Sequence, residues 1–144
     1  MCGIVGIIST KNVTSSILNS LRKLEYRGYD SAGIATLESR IIKEVKCEGR
    51  VDALESNLTK QNLEGNVGIG HVRWATHGVP STINAHPHSS DKVSVVHNGI
   101  IENSTILKKL LVKKGYTFKS QTDTEVIVHL ITDYLKKNDL KNSI

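Results

Sequence analysis

A cysteine stands at position 2, directly behind the initiator methionine, in the stretch MCGIVGII. With Met1 removed, Cys2 carries a thiol and a free α-amine on one residue. Such an amine has a pKa near 8, well below that of lysine, so about a tenth of it is neutral at pH 7. One residue then supplies both nucleophile and base, the arrangement that acyl-transfer enzymes of the N-terminal-nucleophile type use. The plainer reading is that a small apolar residue opens a buried strand, a common place for cysteine.

Other polar residues at the ends of apolar runs bear on that choice. HNGIIEN puts Asn98 and Gly99 directly after VSVV. The Asn98 amide and the Gly99 N–H can together make a two-donor oxyanion hole, with glycine allowing close approach of a substrate. Asn-Gly is equally a hairpin-turn signal. RWATHG follows VGIGHV in the same manner. Arg73 offers a planar fork suited to a carboxylate, and Trp74, Thr76 and His77 can cover or position a small polar substrate. Asp123 can pair with a substrate ammonium, or it can simply favour the dipole of the helix it opens.

The histidines pose a competing idea, since His71, His77, His86, His88 and His97 fall in one stretch. Their spacing matches no zinc pattern and the second cysteine, Cys47, is remote, so the reading is that no metal is bound. His86 and His88 are expected to brace the loop around Pro87.

These groups need a scaffold. The chain has 144 residues, enough for one domain with a real core. The apolar run after Cys2 is short and lacks a basic region before it, so it reads as neither signal peptide nor membrane span, and the expected location is cytoplasmic. The formal charge is +5. Many lysines fall in LKKLLVKKG and YLKKNDLKN, on the polar sides of helix-patterned segments, with no arginine-rich or aromatic-interleaved stripe. A solvated face fits this better than a nucleic-acid partner.

CGIVGII reads as a buried strand. Val13, Ile17, Leu21 and Leu24 recur at helical spacing, with Leu18 widening the stripe, which predicts a helix from Asn12 to Tyr26. GIATL and RIIKEVKC are expected to pair as strands across a short turn. Val51, Leu54 and Leu58 mark a shorter helix ending near Gly65, and NVGIGHVRW is a strand. ATHGVPSTINAHPHSSD is a long irregular stretch, of a kind more often functional than structural. VSVVHNG is a further strand. A helix with Ile106, Leu107, Leu110 and Leu111 stops at Gly115. The last helix has a buried face of Val126, Ile127, Leu130, Ile131 and Tyr134, with Thr122 and Glu125 as a capping box. Tight turns and alternation predict a layered α+β domain with mainly antiparallel strands.

Taken in order, MCGIVGI, LEYRGYDSAGIA, HVRWATHG, NAHPH, VVHNGIIEN and TDTEVI resemble the glutaminase domain of the isomerising glutamine:fructose-6-phosphate aminotransferases, the glucosamine-6-phosphate synthases. Tyr29 separates the chain from the related amidophosphoribosyltransferases, which typically carry glutamine there. The resemblance implies an N-terminal-nucleophile hydrolase fold, a four-layer αββα sandwich with two antiparallel sheets between helical layers. It implies Cys2 as nucleophile, Asn98 and Gly99 as oxyanion hole, and Arg73 and Asp123 as holders of the carboxylate and ammonium of glutamine. Trp74, Thr76 and His77 belong to the loop over the pocket, and Arg27 braces the site near Cys2. No metal or organic cofactor is implied.

The family's glutaminase domain continues beyond the equivalent of Ile144, and the complete enzymes add a sugar-isomerising domain that receives the ammonia. Residues 1–144 are therefore expected to be the N-terminal portion of that domain, with an incomplete sheet and a partner for its exposed edges: the missing domain, a longer chain or a second copy. The expected activity is glutamine hydrolysis. A non-catalytic fragment that binds a longer chain, and a basic nucleic-acid-binding module, are the readings from other classes.

Overall fold

In the computed structural model, which describes residues 2–75 and 78–136, the apolar run behind Cys2 is an edge strand, β1 (Gly3–Ile8). α1 (Thr14–Leu24) follows, and its stripe of Val13, Ile17, Leu18 and Leu21 is buried. A single 3-10 turn, Glu25–Arg27, ends it. β2 (Ser31–Glu38) and β3 (Ile41–Glu48) form a hairpin whose turn residues Ser39 and Arg40 both have positive φ, 50° and 69°. Turns of that hand match the twist of the strands they join. α2 (Val51–Leu58) is shorter than expected, and the chain runs irregularly to β4 (Val67–Arg73).

The four strands make one antiparallel sheet in the order β1-β4-β2-β3. Alternate side chains of a strand point to opposite faces. One face carries Val72, Ala32, Ile34, Val45 and Cys47, which join Val13, Ile17, Leu21, Val51 and Leu54 in a single apolar core under α1 and α2. Each fully buried Ile or Leu there contributes roughly 1.5–3 kcal/mol by its removal from water. The other face carries His71 and Arg73, both buried. It lies against the loop holding the cis His86–Pro87 peptide. A Cβ on Gly33 would stand 2.3 Å from the carbonyl oxygen of His86, so that loop sits directly on the backbone of β2. Lys46 Nζ donates to the carbonyl of Pro87 at 3.1 Å and ties it down further.

Beyond the loop lies a second, two-stranded antiparallel sheet, β5 (His88–Ser89) with β6 (Ser94–Val95). α4 (Glu125–Leu135) packs on it, and α3 (Ser104–Lys113) packs on α4. The order helices, sheet, sheet, helices is the expected four-layer arrangement, with a small second sheet. Among the described residues β1 pairs only with β4, and Ile8 on it is 83% exposed.

Four local expectations need correction. VSVVHNG is a strand only at Ser94–Val95, because the next backbone donors turn to side chains: the N–H of His97 faces His86 Nδ1 at 3.4 Å. On α3 only Leu111 of the expected stripe is buried, while Ile106 and Leu110 point outward. On α4 the buried residues are Glu125, Val126 and Val128, and Tyr134 is exposed, because its first turn is the part sunk into the molecule. Thr122 and Glu125 form no capping box. The Glu125 carboxylate accepts the N–H groups of Lys119 and Ser120 and the Ser120 hydroxyl, while the Thr122 hydroxyl meets His88 Nε2 at 2.8 Å.

Candidate functional site

Strand register brings the first pieces together. Gly3 pairs with Val72 across β1 and β4, so the antiparallel step before it sets Cys2 beside Arg73 and Trp74. The Trp74 backbone N–H donates to Cys2 Sγ at 3.2 Å. Gly28 makes this approach possible. A Cβ there would lie 2.5 Å from the carbonyl carbon of Arg73 and 2.8 Å from the nitrogen of Trp74. Arg27, from the 3-10 turn, donates through Nε to the carbonyl oxygen of Cys2 at 3.2 Å. That turn is itself anchored, since Glu25 Oε1 accepts the N–H of Val51 at 2.8 Å and so caps the start of α2.

The segment after β6 crosses back over the same sheet end. Asn98 Nδ2 donates to the carbonyl of Cys2 at 3.0 Å, and Asn98 Oδ1 faces His71 Nε2 at 3.1 Å. An amide nitrogen has two hydrogens, so one remains for a ligand. Gly99 follows, and a Cβ there would stand 2.7 Å from His97 Nε2, leaving no room for a side chain on that side. Asp123 Oδ2 accepts the N–H of Ile101 at 2.6 Å, holding the loop behind Gly99 against the entry to α4.

Arg73 is 4% exposed. Its Nη2 donates to the carbonyl of Gly78 at 3.2 Å and its Nη1 lies 4.0 Å from Asp30 Oδ1. Asp30 also accepts the N–H of Ala75 and the hydroxyl of Ser31, so one carboxylate fixes both the arginine and the chain beyond it. The Trp74 ring is half exposed and meets Tyr29 edge-on at 5.7 Å. It reaches the site through its backbone as well as its ring.

A cavity of about 590 Å³ opens among these groups. It is lined by Cys2, Arg27, Arg73, Trp74, Asn98, Gly99 and Asp123, and also by His86, His97, Ile100, Thr122 and Thr124. The structure thus gathers every sequence-predicted site residue within its described part. Thr76 and His77 lie outside the described residues, as does Met1.

The histidines do not converge on a point. The rings of His71 and His86 meet at a tilt of 42° with centroids 4.4 Å apart, and those of His86 and His88 meet edge to face at 4.7 Å. No group of three or more His, Cys, Asp or Glu among the described residues is placed to hold a metal ion. Burial pushes the pKa of His71 down to about 4 against the help of its bond to Asn98, and burial with nearby Lys46 takes His88 to about 4 as well. His86 is lowered further, by burial and by its histidine neighbours. The three rings are therefore neutral at pH 7.

Sequence reasoning missed the roles of His71, Asp30 and Asn84. Asn84 is 1% exposed and exchanges hydrogen bonds with Gln121, through Nδ2 to Oε1 at 3.1 Å and from the Gln121 N–H to Oδ1 at 2.9 Å. It ties the loop after Gly78 to the segment that carries Asp123. A polar residue inside the irregular stretch NAHPH was the one available signal.

Residues 55–139 match the family model described as glutamine amidotransferase domain. The chain belongs to the glutamine amidotransferase family. Its sequence is 56% identical over 136 residues to the isomerizing glutamine–fructose-6-phosphate aminotransferase of Bartonella henselae, covering 94% of this chain and 22% of that protein. It is 53% identical over 146 residues to the protein so named from Clostridium tetani, covering all of this chain and 24% of the relative. The chain thus spans about a quarter of the length of the curated relatives it matches. Its fold matches the glutamine phosphoribosylpyrophosphate amidotransferase of B. subtilis with a TM-score of 0.79 at 29% identity, over 100% of this chain and 31% of that one. These neighbours make it an α+β domain of the N-terminal-nucleophile hydrolase class. No helix among the described residues is long and apolar enough to cross a membrane.

Proposed function

We propose that the chain is the N-terminal portion of a glutaminase domain and hydrolyses L-glutamine to glutamate and ammonia through Cys2. The observation that carries this reading is the meeting, around one cavity, of the Cys2 thiol with the Asn98 amide, Gly99, Arg73 and Asp123. Glutamine is a zwitterion. Arg73 takes its α-carboxylate and Asp123 its α-ammonium, which presents the side-chain amide to Cys2 and converts an encounter into a positioned reaction.

With Met1 removed, the α-amine of Cys2 accepts the thiol proton and Sγ attacks the amide carbon. The carbonyl oxygen becomes an oxyanion, stabilised by the second hydrogen of Asn98 Nδ2 and the N–H of Gly99. The amine returns its proton to the leaving nitrogen, ammonia departs, and a glutamyl thioester remains on Cys2. Water then hydrolyses the thioester to glutamate and restores the thiol. Arg27 holds the Cys2 carbonyl throughout. The site is proposed to act in the cytoplasm and to pass its ammonia to a sugar-isomerising domain or chain, the acceptor that the names of its relatives point to.

The test is release of glutamate and ammonia from L-glutamine by the Met1-free chain. Turnover that disappears in Cys2→Ala supports the reading. A folded, Met1-free preparation that releases neither product overturns it.

A further inference from the structure

The bond between His71 and Asn98 has no part in the steps above. His71 is completely buried on β4, and its Nε2 stands 3.1 Å from Asn98 Oδ1 while Asn98 Nδ2 reaches the Cys2 carbonyl. A carboxamide has an acceptor at one end and a donor pair at the other, in nearly the same shape. Packing therefore does not tell Asn98 which end to turn toward the nucleophile. Hydrogen-bonding groups at its two ends must: the Cys2 carbonyl, which only accepts, and the ring nitrogen of His71.

We propose that His71 is a positioning residue whose Nε2–H donates to Asn98 Oδ1 and thereby turns the Asn98 NH2 group toward Cys2 and the site of the oxyanion. The proposal deepens the glutaminase reading and rests on it. An amide oxygen can only accept, so the ring nitrogen opposite it is the donor. The ring is held in place: His86 packs against it at a tilt, centroids 4.4 Å apart, and His88 meets His86 edge to face while meeting the Thr122 hydroxyl at 2.8 Å. Burial keeps His71 neutral at pH 7, so the ring carries a single hydrogen, for which the backbone of His97 competes with Asn98 Oδ1. With the hydrogen on the other nitrogen, Nε2 would accept from the amide and Oδ1 would swing toward Cys2. A lone-pair oxygen would then face a developing negative charge. That turn would also set Oδ1 against the Cys2 carbonyl oxygen, so the Nε2 hydrogen and that carbonyl hold the amide in one orientation together.

Two measurements on the full 144-residue chain with Met1 removed test this. Imidazole 15N spectra at pH 7, with the His71 signals assigned from their loss in His71→Gln, are expected to show Nε2 protonated and Nδ1 bare. In glutamine hydrolysis, His71→Ala is expected to lower kcat about 10- to 100-fold with KM within about twofold, somewhat less than the 10²–10³ that loss of an oxyanion donor costs. His71→Gln, whose side-chain amide can return an N–H near the same place, is expected to recover most of the loss. A ring protonated on Nδ1, or a kcat of His71→Ala within twofold of wild type, overturns the proposal. So does a loss in both variants that follows their melting temperatures, which is the mark of packing alone. If the wild-type chain hydrolyses no glutamine, the glutaminase reading fails, and the ring spectrum still decides the direction of the hydrogen bond.

Discussion

The backbone nitrogen of Trp74 lies 3.2 Å from the sulfur of Cys2, with its hydrogen directed at the thiol. This contact exists because Gly28 lets the Arg73–Trp74 peptide come closer than any side chain would allow. Gly28→Ala must push that peptide away. The expected cost is about 1–3 kcal/mol of stability, read as a lower urea midpoint, together with reduced turnover. A Gly28→Ala chain with the wild-type midpoint and turnover would show that the peptide has room to shift.

The two thiols should react very differently. Cys2 is partly exposed at the cavity, whereas Cys47 is 4% exposed and burial pushes its pKa up. Alkylation requires an accessible thiolate. Iodoacetamide is expected to add one group to the native chain, at Cys2, more slowly in the presence of glutamine, and a second only after unfolding. Intact mass and peptide mapping check this, and rapid native labelling of Cys47 would contradict the placement of β3 against α2.

Asp123→Asn separates charge from shape. An asparagine oxygen can still accept the Ile101 N–H, so the loop should keep its path. The charge opposite the substrate ammonium is lost, and a hydrogen bond to a charged group is worth about 1.5–3 kcal/mol. KM for glutamine is expected to rise about 10- to 100-fold, with a smaller change in kcat. Steady-state kinetics decide, and an unchanged KM would place the ammonium elsewhere.

Acid should weaken the fold in a defined window. His71 and His88 have folded pKa values of about 4 against about 6.5 when unfolded. Between those values the unfolded chain binds more protons, so stability rises with pH across the window. The contribution is complete above about pH 6.5 and lost as pH falls to about 4, on the order of 3 kcal/mol per histidine. Glu125 acts lower on the scale. Burial opposes its ionisation, but hydrogen bonds from Lys119 and Ser120 prevail and lower its pKa, so its contribution fades only as pH falls below the ordinary carboxylate range. Urea midpoints between pH 7.5 and 4.5 check the histidine window, and a flat profile would mean these rings are hydrated.

Cys2, Arg73, Asn98, Gly99 and Asp123 are legible in the sequence because each stands where a periodic segment ends and a loop or helix begins. The first sheet is equally legible, since β1, β2, β3 and β4 carry their own turn and periodicity signals. His71 is not: within NVGIGHVR it alternates like any strand residue, and its meaning lies in Asn98, on a different segment. Asp30 and Asn84 hide for the same reason, their partners Ala75 and Gln121 being far along the chain. The outer faces of α3 and α4 mislead because helical periodicity reports an apolar stripe without saying how deeply it is covered. Ile106 and Leu110 satisfy the period and face outward.

The edge strand β1 also has a consequence in time. Cys2 is the first site residue to leave the ribosome, and Asp123 follows about 120 residues later. At about 5–20 residues per second, the nascent thiol waits on the order of 10 s for the groups that complete its pocket. β1 cannot enter the sheet before β4 is made, since β4 is its partner. The proposed nucleophile is thus made well before the strand and the loop that shelter it.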